Sequence, residues 1–368
     1  MSAGAPPGSR EVYVASCRFT GSGGEYFRIW IVNLLLSLVS LGLYSAWAKV
    51  RKAQYFRANT ELAGHVFGYH GNPKAILRGR ILALVLFSLY SWGFAFSRAS
   101  GLVTMAVLTV VGPWLFMRGQ QFALANTSFL GLRFGFRAEP LVAYRRLMPL
   151  LALWWMPQLL VWMGVETGAF SALIIPATWP WMHHRLKAYQ HGNATYGNLR
   201  CAFEPATWGF YGVYAKSSGL IFLASSLGGL VFAGLYRSGV NPVLAAKSFQ
   251  WIFGAAIGLI FFLLVGPYYA ARLQQLVWNR TQLGGFRFRM RLRASELYKL
   301  AFKNAALTLL SAGLYWPWAA VALARYKLSC LEVESDASYA EPITAISAPN
   351  VDATGDGALD AFDLDIGL

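Results

Sequence analysis

Four arginines recur at one place in a repeated pattern. Each follows an aromatic residue by four positions and is followed by a second aromatic and an asparagine: Trp47, Arg51, Tyr55 and Asn59; Trp114, Arg118, Phe122 and Asn126; Trp181, Arg185, Tyr189 and Asn193; and Tyr268, Arg272 and Asn279, where Leu276 replaces the second aromatic. A guanidinium presents a planar fork of donors that matches phosphate, so Arg51, Arg118, Arg185 and Arg272 beside apolar segments suit contact with lipid headgroups. Their plainer role is to anchor helices at a membrane interface. Asn33 and Asn304 are the other residues placed where polarity is costly, inside apolar runs and at equivalent positions of the aligned segments 25–44 and 296–315. If those segments meet, the two amides line a shared substrate site, as broken helices do in transporters. Otherwise each amide bonds the free backbone of its own turn.

Nothing else assembles a catalytic centre. HExxH, GxSxG, CxxC and phosphate-loop patterns are absent, and only seven acids, all Glu, precede Glu332. His183 and His184 point to different sides of a helix, which argues against a shared metal, and His65 and His70 flank a strand and a turn. The chain is therefore read as a non-enzyme with no catalytic residues, no metal and no cofactor. Cys17 and Cys201 each lie two residues before a Phe of an expected strand, Phe19 and Phe203, which makes them small packing residues; Cys330 is read the same way.

These residues need elements to hold them, and the composition says which. The 368 residues are 56% hydrophobic and 15% aromatic, too apolar for an ordinary soluble domain of this size. Apolar runs near 81–96, 101–117, 147–165, 168–182, 219–235 and 251–271 approach the roughly 20 residues that cross a bilayer. The expected fold class is an all-α polytopic membrane protein: three transmembrane helical hairpins, giving six spans, plus two short end units that re-enter rather than cross, turning near Gly42 and Gly313. Short cytoplasmic β-strands follow each motif, at 60–67, 127–136, 194–203 and 280–288, with a further strand at 12–19. Each Asn then ends a helix, because Asn tolerates the left-handed conformation found there.

Charge sets the orientation. All 32 Lys and Arg precede residue 332, while nine of the 16 acids follow residue 331. The loops near Arg98, Glu166 and Arg237 are poor in base, so they face away from the cytoplasm, and the motifs, the N-terminus and the C-terminus face it. The bases flank apolar spans, which points to membrane lipids as partners and away from nucleic acid. The start lacks the apolar core of a cleaved signal peptide. The domain reading is residues 1–24 as a cytoplasmic segment with a strand, 25–331 as the repeat-built membrane domain, and 332–368 as an acidic, largely disordered tail. That tail ends in an alternation of Phe362, Leu364, Ile366 and Leu368 with Asp363 and Asp365. The pattern suits addition to a sheet edge, either the chain's own strand 286–293 or one in a protein partner; the plainer reading is a disordered tail that only improves solubility.

The strings Gly42-Leu-Tyr-Ser-Ala-Trp-Ala-Lys-Val-Arg-Lys, Arg57-Ala-Asn-Thr-Glu-Leu-Ala-Gly and Phe362-Asp-Leu-Asp-Ile-Gly-Leu resemble the YjgN family of bacterial inner-membrane proteins. The resemblance implies a multi-pass protein of the inner membrane and supplies no catalytic residues. Two functions are expected: transport or organisation of lipid or another anionic amphiphile, or a non-enzymatic scaffold that recruits a partner such as a membrane peptidase through its β layer and acidic tail. The oligomeric state is not fixed by the sequence.

Overall fold

The computed structural model describes residues 12–164, 168–238, 258 and 263–336. Over them the chain lays down a strand, two helices and a strand five times. The first unit is β1 (Val12–Phe19), α1 (Gly23–Val39), α2 (Ser45–Ala58) and β2 (Thr60–Leu62); the second is β3 (His65–Tyr69), α3 (Pro73–Phe96), α4 (Arg98–Ala125) and β4 (Thr127–Phe129). The third is β5 (Leu132–Phe136), α5 (Pro140–Trp162), α6 (Gly168–Gly192) and β6 (Ala194–Tyr196). The fourth is β7 (Leu199–Phe203), α7 (Thr207–Arg237), α8 (263–279) and β8 (Thr281–Leu283). The fifth is β9 (Phe286–Met290), α9 (Ala294–Leu310), α10 (Trp316–Ser329) and β10 (Leu331–Asp336).

The ten strands form one closed antiparallel barrel, in which β1 pairs with both β2 and β10. This overturns the all-α expectation. The segments read as single strands around a glycine are in fact hairpins. Ala63 and Gly64, at φ 51° and 83°, and Leu130 and Gly131, at 48° and 77°, make two-residue turns with positive φ at both positions, the geometry that matches strand twist. The six-span expectation is corrected as well: among the described residues two helical stretches are long and apolar enough to cross a membrane, Pro73–Gly93 and Ala99–Ala125. Most of the run at 251–271 lies outside the described residues.

Alternation sorts the barrel's two faces. Phe286, Phe288 and Met290 of β9 lie on one face and Arg287 and Arg289 on the other; the apolar face joins Tyr196, Leu199 and Leu283 in a buried cluster, while the arginines stay exposed. The seam that joins the chain's first and last strands is flanked by opposite charges, with Arg18 facing Glu61, Arg289 facing Glu332 and Arg287 facing Glu334. Glu332 and Glu334, read as the start of an acidic tail, are thus part of the barrel, and Arg289 Nε lies 2.8 Å from Glu334 Oε2. With β8 and β10 on its two sides, β9 has no edge left for Phe362, Leu364, Ile366 and Leu368 to extend; those four lie outside the described residues.

The helices follow from local signals. Ser22 and Glu25 form a reciprocal capping box on α1, Asn72 caps α3 with Pro73 behind it, and Ser97 with Ser100 caps α4. Four of the second helices pack on the next unit's first strand, α2 on β3, α4 on β5, α6 on β7 and α10 on β1. Three seams between units share one clasp. Proline stands immediately before the motif aromatic at Pro113, Pro180 and Pro267, and the carbonyl three residues earlier accepts a hydroxyl from the neighbouring unit: Tyr144 to Val110 (2.7 Å), Tyr211 to Ala177 (2.9 Å) and Tyr298 to Leu264. Proline disrupts the helical ladder at this turn and turns carbonyls outward, so each tyrosine supplies a donor where the helix has loosened. Tyr144→Phe is expected to lower unfolding stability in detergent by about 1 kcal/mol, read by thermal or denaturant melting. A change near zero would show that solvent satisfies Val110 equally well.

Candidate functional site: a belt of stacked arginines

The motif arginines come to similar heights above the barrel because each lies seven or eight residues, about 10–12 Å of helix, before the asparagine that leads into a strand. Each guanidinium stacks on an aromatic ring of its own unit: Arg118 on Trp114 at 5.6 Å, Arg185 on Trp181 at 4.9 Å, Arg272 on Tyr268 at 5.8 Å, and Arg51 on Tyr44 rather than Trp47 at 5.7 Å. Such contacts contribute about 0.5–1 kcal/mol at exposed sites and fix where the cation points. Arg118 and Arg272 also donate to Gln121 and Gln275, three residues on. Among the described residues none of the four meets a carboxylate. Arg51 and Arg272 are exposed; Arg118 and Arg185 are half-buried. Four oriented and unneutralised cations beside apolar helices can receive anions.

The asparagines do not act through left-handed backbone, as expected from sequence. Asn59 and Asn126 sit at φ −101° and −90°, and the side-chain amides of Asn59, Asn126 and Asn193 each donate to the carbonyl four residues back at 2.8 Å. Asn279 instead clasps β9: its Oδ1 accepts from the Met290 N–H at 2.6 Å, and its Nδ2 faces the Met290 carbonyl at 3.3 Å. Three of the motif asparagines therefore close the last turn of their own helix, and the fourth ties its helix to β9.

Asn33 and Asn304 are placed on α1 and α9, and α10 packs against both of those helices. Asn304 Nδ2 donates to the Ala319 carbonyl of α10 at 3.4 Å, while the Oδ1 atoms of both asparagines are buried without a partner. No hydrogen bond joins the two amides. The turns between the arms run through Leu41 and Gly42 (φ 50° and 90°) and through Ala312 and Gly313 (49° and 92°), a second use of paired positive φ, here reversing a helix. Glu296 meets Lys299 at 2.9 Å.

Sequence reading missed a cleft of about 320 Å³ between α7 and α8, lined by Gly209, Gly212, Val213, Lys216, Tyr268 and Arg272. A second cleft, of about 390 Å³, lies at the barrel rim beside Glu204, Gln282, Arg287 and Arg289, where Glu204 is already engaged by Arg280 (3.1 Å) and Gln282 (2.6 Å). The histidines gather no metal set among the described residues. His184 bonds near the start of α7, through Ala206 N and Thr207, and His191 is buried against Thr281. Burial pushes the Cys17 thiol up to about 11 and that of Cys201 to about 12, so both stay protonated and unreactive. They occupy matching register positions, opposite Leu62 and Leu283.

A family model described as "Bacterial protein of unknown function (DUF898)" matches residues 15–361. The chain belongs to that family. It is also similar to the inner membrane protein YjgN of Salmonella typhimurium, 31% identical over 125 residues that cover 33% of this chain and 31% of the relative. The YjgN proteins of Escherichia coli K12 and O157:H7 match similarly, at 30% and 29% identity over 127 and 122 residues, again 33% of this chain and 31% of each relative. The matched stretch thus spans about a third of these relatives' length. Their names support the inner membrane as the location and bear out the YjgN-family resemblance read from the sequence. No solved structure matches.

Proposed function

We propose that this protein binds and organises anionic phospholipid at the cytoplasmic face of the inner membrane, with the arginine belt at headgroup level and the barrel on the cytoplasmic side. The observation that carries the reading is the α3–α4 hairpin. Leu84, Phe87, Trp92 and Phe96 are all more than 60% exposed, and only 11% of the apolar window of α3 is buried, so this surface needs lipid rather than water around it. Arg80 and Arg118 stand 17 and 21 residues from Ser97, so beyond Arg98 at the turn itself the two arms run roughly 25 and 31 Å before reaching a further base. Lys74, Arg78, Arg80 and Arg118 at one end of the hairpin outnumber Arg98 at its turn, a bias that orients the base-rich end to the cytoplasm, and the barrel and both described chain ends lie beyond it. Leu38, Val39 and Leu41 at the α1–α2 turn, and Leu309 and Leu310 at the α9–α10 turn, add further exposed apolar surface.

The test replaces Arg51, Arg118, Arg185 and Arg272 together by Gln and counts lipids retained by the detergent-purified protein in native mass spectrometry, with phosphatidylglycerol and phosphatidylcholine offered in equal amounts. The wild type is expected to retain phosphatidylglycerol preferentially, and the variant to lose at least tenfold of that preference. Equal retention of the two lipids by the wild type would remove the reading.

A further inference from the structure

In four of the five units the sixth residue of the first helix, on the exposed side, is a base: Arg28 in α1, Arg78 in α3, Arg145 in α5 and Lys299 in α9. The equivalent residue of α7 is Gly212. Its base appears one turn later, as Lys216, four residues on and therefore along the same helix face. Gly212 lines the cleft between α7 and α8. A Cβ built on Gly212 would meet nothing within 4 Å, whereas one on Gly209 would come within 2.8 Å of Leu276. Gly209 therefore lets the two helices approach closely at one end of the cleft, and Gly212 keeps the cleft open. The result is a pocket of about 320 Å³ with cations supplied from both helices, Lys216 from α7 and Arg272 from α8. Arg272 is oriented by its stack on Tyr268 and by Gln275, and among the described residues neither cation meets a carboxylate.

We propose that this cleft is a specific site for a single phosphate-bearing headgroup, held by Arg272 and Lys216 over the glycine floor. The inference rests on the anionic-lipid reading above and narrows it to one pocket. A planar guanidinium can meet two phosphate oxygens while the ammonium takes a third, which a zwitterionic headgroup with its own trimethylammonium partner satisfies less well. The opening of about 320 Å³ is at the small end of ligand-sized pockets, enough for a glycerophosphate headgroup but not for a whole lipid.

Gly212→Leu fills the cleft while leaving both cations in the sequence, and it replaces a helical glycine by a better helix former, so the variant is expected to fold. Native mass spectrometry of the full chain titrated with dioleoylphosphatidylglycerol is expected to show one lipid surviving the highest collision energy in the wild type. That lipid should be lost, with at least tenfold weaker binding, in Gly212→Leu, Lys216→Gln and Arg272→Gln, and kept in Arg118→Gln. Inorganic phosphate at millimolar concentration separates the two sources of this chemistry: no competition assigns the site to the lipid headgroup, and full competition assigns it to free phosphate. If Gly212→Leu and Lys216→Gln both keep the wild-type affinity while the fourfold arginine variant loses binding, the cleft is overturned and the belt stands. If the fourfold variant also binds as wild type, both readings fall.

Discussion

Val333→Asp is expected to leave no folded protein. Val333 is buried in β10, with Phe288 of β9 on one side and Ala15 of β1 on the other, at the point where the barrel closes. An aspartate there either ionises in an apolar cluster or remains protonated with no hydrogen-bond partner, and the cost is about 4 kcal/mol or more. Against a total stability of about 5–15 kcal/mol that is a large share. It also falls on the one strand that links the two ends of the chain, so its loss exposes the edges of β1 and β9 together. Val333→Thr keeps the shape and adds one hydroxyl, and should cost about 1–2 kcal/mol while leaving a folded protein. The check is the yield of monodisperse protein in detergent and its resistance to trypsin. Wild-type yield and protease resistance for Val333→Asp would show that the ring holds without its closing seam.

Acidification is expected to destabilise the protein through His191. Its Nδ1 lies 3.0 Å from Thr281 Oγ1, and that hydroxyl's own hydrogen is given to the Val277 carbonyl at 2.8 Å. The imidazole must therefore donate from Nδ1, which leaves Nε2 as a bare acceptor, buried and without a partner. Burial first, and then the charge of Lys187, pull its pKa down to about 3. The sign follows from comparing states: below about pH 6.5 the unfolded chain takes up a proton at this residue that the folded chain refuses, so stability falls with pH until the folded pKa is reached. Between pH 7 and pH 5 the loss from this group is about 2 kcal/mol. His191→Asn keeps a donor toward Thr281 and removes the titration, so its melting temperature should depend less steeply on pH over that interval. An unchanged slope would place the acid sensitivity elsewhere.

Much of this architecture is readable in local patterns, and what was missed has a common cause. The motif of Trp47, Arg51, Tyr55 and Asn59 and its copies, the capping residue Glu25 and the turns at Gly42 and Gly313 are all contained within one or two helical turns, where spacing alone is informative. Closure of the barrel is not local. Val12 pairs with Asp336 across almost the whole chain, and strands of three residues such as Thr60–Leu62 are too short to show a period. The Glu332 and Glu334 charges masked the alternation with Leu331 and Val333 that marks β10 as a strand. Asn33 and Asn304 illustrate a different limit: equivalence in sequence says that two residues play the same part in two units, yet the ring places α10 between them. The cleft at Gly212 was legible only by comparing units, because its signal is a base missing from a place where the others have one.

The account stands on the ring carrying Arg51, Arg118, Arg185 and Arg272 at one level of the membrane. Spin labels attached singly at these four positions, in a cysteine-free background reconstituted into phosphatidylglycerol-containing nanodiscs, report depth through their relative exposure to oxygen and to a polar nickel chelate. The same depth at all four, within about one helical turn (roughly 5 Å) and at the headgroups, is the predicted result. Labels at Arg51 and Arg272 lying in bulk water while Arg118 sits at the headgroups would contradict it.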